Sequence, residues 1–169
     1  MNISMYQASV PTFIHGLTSL VTLLEKATAY AEAKKFDPTI LVNSRLFPDM
    51  LPLAAQIRIA TDGVKGAAAR LSGQEPPVYE DNEQTMPELI ARLQKTIAYL
   101  KTFTPEQIDG SEERKITLKI GGHALGFSGI DYLLTFVKPN FYFHVTTAYN
   151  ILRHNGVEIG KGDYLGKIQ

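Results

Sequence analysis

No cysteine occurs in this chain of 169 residues. That absence excludes disulfide frameworks, thiolate-bound zinc and cysteine nucleophiles at once, and it fits a reducing compartment. Net charge is missing too, because 17 basic residues balance 17 acidic ones. A protein that grips many phosphates carries a broad electropositive field, so nucleic-acid binding is disfavoured. No apolar run reaches the ~18 residues that a membrane span requires. The opening Met1-Asn-Ile-Ser is uncharged where a signal peptide would be basic. The expectation is a soluble, cytoplasmic protein with neither nucleic acid nor membrane as a partner. Repeats, low-complexity tracts and interdomain linkers are also absent, so residues 1–169 read as one domain. A chain of this length can bury roughly 70% of the surface its unfolded form exposes and needs no covalent staple.

What is present is mostly helical periodicity. From Tyr6, apolar residues fall at Val10, Phe13, Leu17, Leu20, Val21, Leu24 and Ala27, the three-and-four spacing of one buried stripe. The first predicted helix runs to about Lys35, starting or bending at Pro11, before Phe36-Asp-Pro38 ends it. A second helix is predicted from about Pro48-Asp49 through Leu53, Ile57, Ala60 and Val64 to Ser72-Gly73. Its small-sided half, Gly63-Val-Lys-Gly-Ala-Ala-Ala69, invites close approach by a neighbour. Thr85 and Glu88 have the spacing of a capping box, with Pro87 in the first turn, and open a third helix through Leu89, Leu93, Ile97 and Leu100. Thr104-Pro105 reads as a short cap and turn.

The period then shortens to two. Ile116, Leu118 and Ile120 alternate with Lys115, Thr117 and Lys119, and Gly121-Gly122 follows directly. This pattern predicts a hairpin in which Leu118 faces Leu125 and Ile116 faces Phe127. Ser128 to Val137 can form a short helix, which Pro139 breaks or restarts. The fourth main helix carries Phe141, His144, Val145, Ala148, Leu152 and Asn155 on one face and stops at Asn155-Gly156. The tail, with glycines at 160, 162 and 166, is expected to lie over the surface.

His144 is the leading candidate for chemistry. It sits on the apolar face of a helix, where a bundle would place a metal ligand, but a neutral core histidine with a hydrogen-bond partner is the simpler account of that position. His15 shares a face with Thr18, Ser19 and Thr22 and reads as exposed. His154 suits the last turn of its helix as a capping charge, and His123 follows the hairpin turn. Asp62 and Gln56 are the polar residues of the second helix that border the interior. Asp62 joins His144 as a catalytic candidate, although a sequence sets no distance between them. Gly121-Gly122-His-Ala-Leu-Gly126 lacks the spacing and lysine of a phosphate loop, and Gly126-Phe-Ser128-Gly129 is one residue short of a nucleophile elbow. Tyr142, Thr146, Tyr149 and Arg153 share a face suited to a second subunit, unless the hairpin or tail covers it.

Three segments, Pro139-Asn-Phe-Tyr-Phe-His144-Val-Thr-Thr-Ala148-Tyr149, Ile151-Leu-Arg-His-Asn-Gly-Val157 and Gly160-Lys-Gly-Asp-Tyr-Leu-Gly166, resemble an uncharacterised bacterial family of the DinB-like superfamily, and so does Pro48-Asp-Met-Leu-Pro-Leu. The resemblance spans essentially the whole chain. It implies a mainly α fold: an up-down-down-up four-helix bundle, frequently dimeric, here with a small β-hairpin near residues 115–127. Better-known relatives hold a divalent metal, zinc or nickel, through one histidine from the second helix and two from a His-x-x-x-His motif on the fourth. His144 matches the first histidine of that motif, Ala148 stands in place of the second, and Gln56 lies near the position on the second helix. The resemblance therefore implies a lost or altered metal site and no cofactor. The alternative is a zinc or nickel ion in a rebuilt site of His144, Gln56 and Asp62. The expected function is a small-ligand-binding or homodimeric interaction module. A divergent metal- or thiol-dependent transferase or hydrolase using His144 is the second expectation.

Overall fold

The computed structural model describes residues 3–167. Met1 and Asn2, half of the amino-terminal stretch read above, lie outside the described residues, as does the side chain of Ile120. Helix α1 (Met5–Ala8) is capped by Ser4, whose hydroxyl accepts from the Gln7 amide. The chain breaks at Ser9 and restarts as α2 (Val10–Lys34), with Pro11 in its first turn, where an amide hydrogen is not required. A left-handed Lys35 (φ 59°) ends α2. A short α3 (Thr39–Asn43) follows that no sequence signal announced.

Helix α4 spans Leu53–Ser72, so it begins later than Pro48-Asp49. Pro48 and Pro52 each push the residue before them away from helical backbone, and the Leu53 amide instead donates to the Ser44 carbonyl. Gly73 (φ 80°) closes α4 as a left-handed cap. The Thr85–Glu88 capping box opens α5 (Met86–Leu100), and α6 (Pro105–Ile108) is the turn after Thr104. Strands β1 (Ile116–Ile120) and β2 (His123–Phe127) pair antiparallel, with Leu118 opposite Leu125 and Ile116 opposite Phe127.

The segment after the hairpin differs from its sequence reading. A single turn, α7 (Gly129–Asp131), passes into a π-helical segment, Tyr132–Val137, and continues without a break as α8 (Lys138–His154). The Lys138 amide reaches back five residues to the Leu133 carbonyl. This wider turn gives the Pro139 ring room that an α-helix would deny it, so the proline neither breaks nor restarts the helix.

The four long helices form the up-down-down-up bundle that the resemblance implied. Helix α2 packs against α5 and α8, α4 packs against α8 and α5, and α2 and α4 lie diagonally across the core. Phe13, Leu17, Leu24, Ile57, Leu93 and Phe141 are almost wholly buried. Phe13 meets Phe141 edge to face at 5.4 Å. Gly16 makes that packing possible, since a methyl group there would stand 2.8 Å from the Phe141 ring.

The tail is a helix as well as a surface strap. Helix α9 (Lys161–Leu165) lies on α2. The exposed His15 donates to the Leu165 carbonyl at 2.5 Å, and Lys26 pairs with Asp163 at 2.6 Å. Tyr164 meets Thr146 at 3.1 Å and the ring of Tyr149 at 5.9 Å, so the tail covers part of the face shared by Tyr142, Thr146, Tyr149 and Arg153. Among the described residues no helix is long and apolar enough to cross a membrane.

Candidate functional site

The seam between α4 and α8 brings His144 and Gln56 together. The two helices run antiparallel, so positions advancing along α4 meet positions receding along α8: Gln56 meets His144, Gly63 lies beside Asn140, and Arg70 reaches Tyr132. His144 is 7% exposed and Gln56 2%. Their contact is a buried hydrogen bond of 2.7 Å between His144 Nδ1 and Gln56 Oε1.

Local chemistry fixes the direction of this bond. The Gln56 amide nitrogen donates to the Leu51 carbonyl at 3.0 Å. A carbonyl only accepts, so the amide oxygen is the atom turned toward the imidazole, and Nδ1 must carry the hydrogen. In the neutral ring Nε2 then holds the lone pair. Burial holds the His144 pKa below its usual value, because the low-dielectric interior disfavours the imidazolium and Gln56 supplies no compensating charge. The side chain is thus an oriented neutral imidazole with one nitrogen committed and the other able to accept a proton or a hydrogen bond. The Phe143 ring stands edge-on to it at 5.2 Å, and Phe143 and Leu51 are both exposed apolar residues beside this pair.

Asp62 belongs to a different cluster. Its carboxylate lies 2.6 Å from Lys65 Nζ and 3.0 Å from Arg92 Nη2, and it remains 39% exposed. Ala148 is fully buried, and its side chain has no donor atom. Among the described residues no group of three or more histidine, aspartate or glutamate side chains is arranged to hold a metal ion.

Arg92 was not among the candidates read from sequence. It is 4% exposed and organises the loop before α5. Its Nε donates to Thr61 at 2.8 Å, while Nη1 donates to the Glu80 carbonyl at 3.0 Å and to Glu83 at 2.9 Å. Asp81 lies 2.9 Å from the same nitrogen. Burial opposes the Arg92 charge, but the bond to Glu83 and the charges of Asp62, Glu83 and Asp81 more than compensate, raising its pKa. Arg58 adds a second ion pair to Glu83 at 2.9 Å. Lys65 and Lys95 place their ammonium groups 3.9 and 4.1 Å from the centre of the Tyr79 ring. A cleft of about 490 Å³ opens beside Tyr79, Arg92 and Lys95. One signal for this cluster was available: Arg92 occupies the stripe of Leu89, Leu93 and Thr96, where an uncompensated charge could not be buried.

The fold agrees with what the chain is similar to. The family described as a domain of unknown function (DUF1993) matches residues 5–165. The chain belongs to this family. The crystal structure of a DinB family member protein from Shewanella denitrificans is 40% identical, with 96% of this chain and 92% of that one covered and a TM-score of 0.87. No curated protein matches. This DUF1993 chain is therefore DinB-like along nearly its whole length.

Proposed function

We propose that the protein is a small-ligand-binding bundle and a homodimeric interaction module, in which a hydrogen-bonded Gln56–His144 pair stands where DinB-like relatives hold a metal. The observation that supports this most directly is the 2.7 Å bond between His144 and Gln56. It engages the oxygen that Gln56 could have offered to an ion, and it leaves His144 Nε2 as the imidazole's remaining acceptor. A three-histidine centre does not fit these residues, because Ala148 has no donor and Asp62 is engaged by Lys65 and Arg92. A neutral acceptor suits a polar, uncharged group on a ligand better than a cation. The exposed Leu51 would contact the apolar part of such a ligand. Phe143, which lies on α8 outside the contacts made by Tyr164, is the surface assigned to a second copy.

A divergent transferase or hydrolase is the second reading. It is favoured by the lowered pKa of His144, which keeps its imidazole in the neutral form that a general base requires. Elemental analysis of protein purified without a histidine tag tests the first reading. The expected result is no stoichiometric zinc or nickel, in the unaltered protein as in His144→Ala. Stoichiometric metal that disappears in His144→Ala would overturn it in favour of a metalloenzyme.

A further inference from the structure

We infer that the far end of the α4–α8 seam is a second ligand site, a two-part groove that takes a small organic phosphomonoester. Two adjoining cavities of about 330 and 270 Å³ share Arg70 and Thr117 as lining residues. The first is bordered by Arg70, Arg114 and Lys115, with Glu75 as its one lining carboxylate. The second is bordered by Lys119 and by the apolar or aromatic side chains of Leu118, Tyr132, Phe136 and Val137. One compartment is thus built for a negative charge and the other for a less polar body.

Three observations distinguish this groove from an ordinary basic surface. First, its cations are uncommitted. Among the described residues the ion pairs involve Lys26, Arg58, Lys65 and Arg92, and none involves Arg70, Arg114, Lys115 or Lys119. In a chain of zero net charge, four unneutralised cations around one carboxylate make a local positive field. The larger cleft beside Tyr79 has its arginine already neutralised by Asp62, Asp81 and Glu83.

Second, both guanidinium groups are seated on glycines. Arg70 folds back over Gly66, in the space a methyl group would fill, and Arg114 lies over Gly73, where a methyl would stand 2.6 Å from Nη1. Arg70 is also held by the hydroxyl of Tyr132, which accepts from Nη1 at 3.1 Å and is itself 2% exposed. A planar fork fixed in this way can meet phosphate oxygens in pairs. Third, the π-helical segment forms one wall. It sets Tyr132 and Phe136 nearly parallel, 6.1 Å apart, with Phe127 closing the group at 5.7 Å from Phe136. π-Helical turns of this kind are concentrated at functional sites.

Titration with phenyl phosphate, followed by calorimetry or amide shifts, tests the assignment. The expected result is saturable binding that weakens with added salt, is tighter than for inorganic phosphate, and falls about tenfold in Arg114→Gln. Arg114 is exposed, so this variant keeps its fold; Arg70→Lys, which retains charge without the fork, should weaken binding as well. His144→Ala should leave phenyl phosphate binding unchanged, which separates this site from the Gln56–His144 pair. Equal binding by Arg114→Gln and the unaltered protein would overturn the assignment, and so would phosphate binding as tightly as its phenyl ester. Sedimentation with phosphatidylcholine vesicles carrying phosphatidic acid, lost in Arg114→Gln, would instead assign the groove to a lipid head group and overturn the soluble ligand.

Discussion

At the scale of single residues, His144 couples stability to pH. Its pKa is lowered from 6.5 in the folded chain by burial, whereas the unfolded chain titrates near the ordinary value. Below that value the unfolded state binds the proton that the folded state refuses, so folding stability falls as pH drops from about 6.5 toward the lowered pKa, and is fully present above it. The melting temperature, followed by circular dichroism between about pH 7.5 and 5.5, should decline in the unaltered protein and decline less in His144→Gln, which has no proton to gain. Parallel curves for the two proteins would show that the imidazole is not the group responsible. Glu83 acts in a lower range. Burial raises its pKa, but the bonds from Arg92 and Arg58 outweigh that and leave it lowered, so its contribution disappears only as pH falls through a value below 4.5.

At the scale of elements, the loop between α4 and α5 depends on Arg92. Replacing it with methionine would leave the Glu80 carbonyl without its buried donor and Glu83 with Arg58 as its remaining cationic partner, a loss of about 1–3 kcal/mol for groups left unsatisfied. Chemical denaturation of Arg92→Met should show a midpoint shifted to that extent, and hydrogen exchange should quicken first in residues 78–84. A change below about 0.5 kcal/mol would mean that the network is a solvated surface feature.

This loop also marks the boundary of what a single sequence can disclose. The helical stripes, the Thr85 capping box and the Gly-Gly hairpin were legible because each depends on neighbours three or four positions away, or on a glycine that a turn requires. The start of α4 was misplaced because the two prolines act on the residues before them and the Ser44 carbonyl takes over the first amide. The π-helical segment was illegible, since its register answers to packing across the bundle. For the candidate site, His144 and Gln56 were both named but their contact was not, because it joins positions 88 residues apart. Asp62 was visible as a boundary residue, and its commitment to Lys65 and Arg92 was not.

At the scale of the whole molecule, assembly is the open variable with a direct readout. Phe143 is 56% exposed, and Tyr164 already occupies Thr146 and Tyr149 on the same helix. Sedimentation equilibrium should find a dimer that Phe143→Glu converts to monomer with its circular dichroism spectrum unchanged. A monomer at all concentrations in the unaltered protein would remove the proposed interface.

The π-helical turn has a further consequence for how this chain may be compared with its kin. In an unbroken α-helix, residues 12 positions apart are rotated by roughly 120° about the axis. One extra residue accommodated in a π turn reduces that offset to roughly 20°, which is how Tyr132 and His144 both come to face α4. A relative lacking one residue anywhere within Tyr132–Val137 would present a different side of its helix to the seam, even with every other letter retained. A single-letter deletion there is equivalent to replacing a whole wall of the groove.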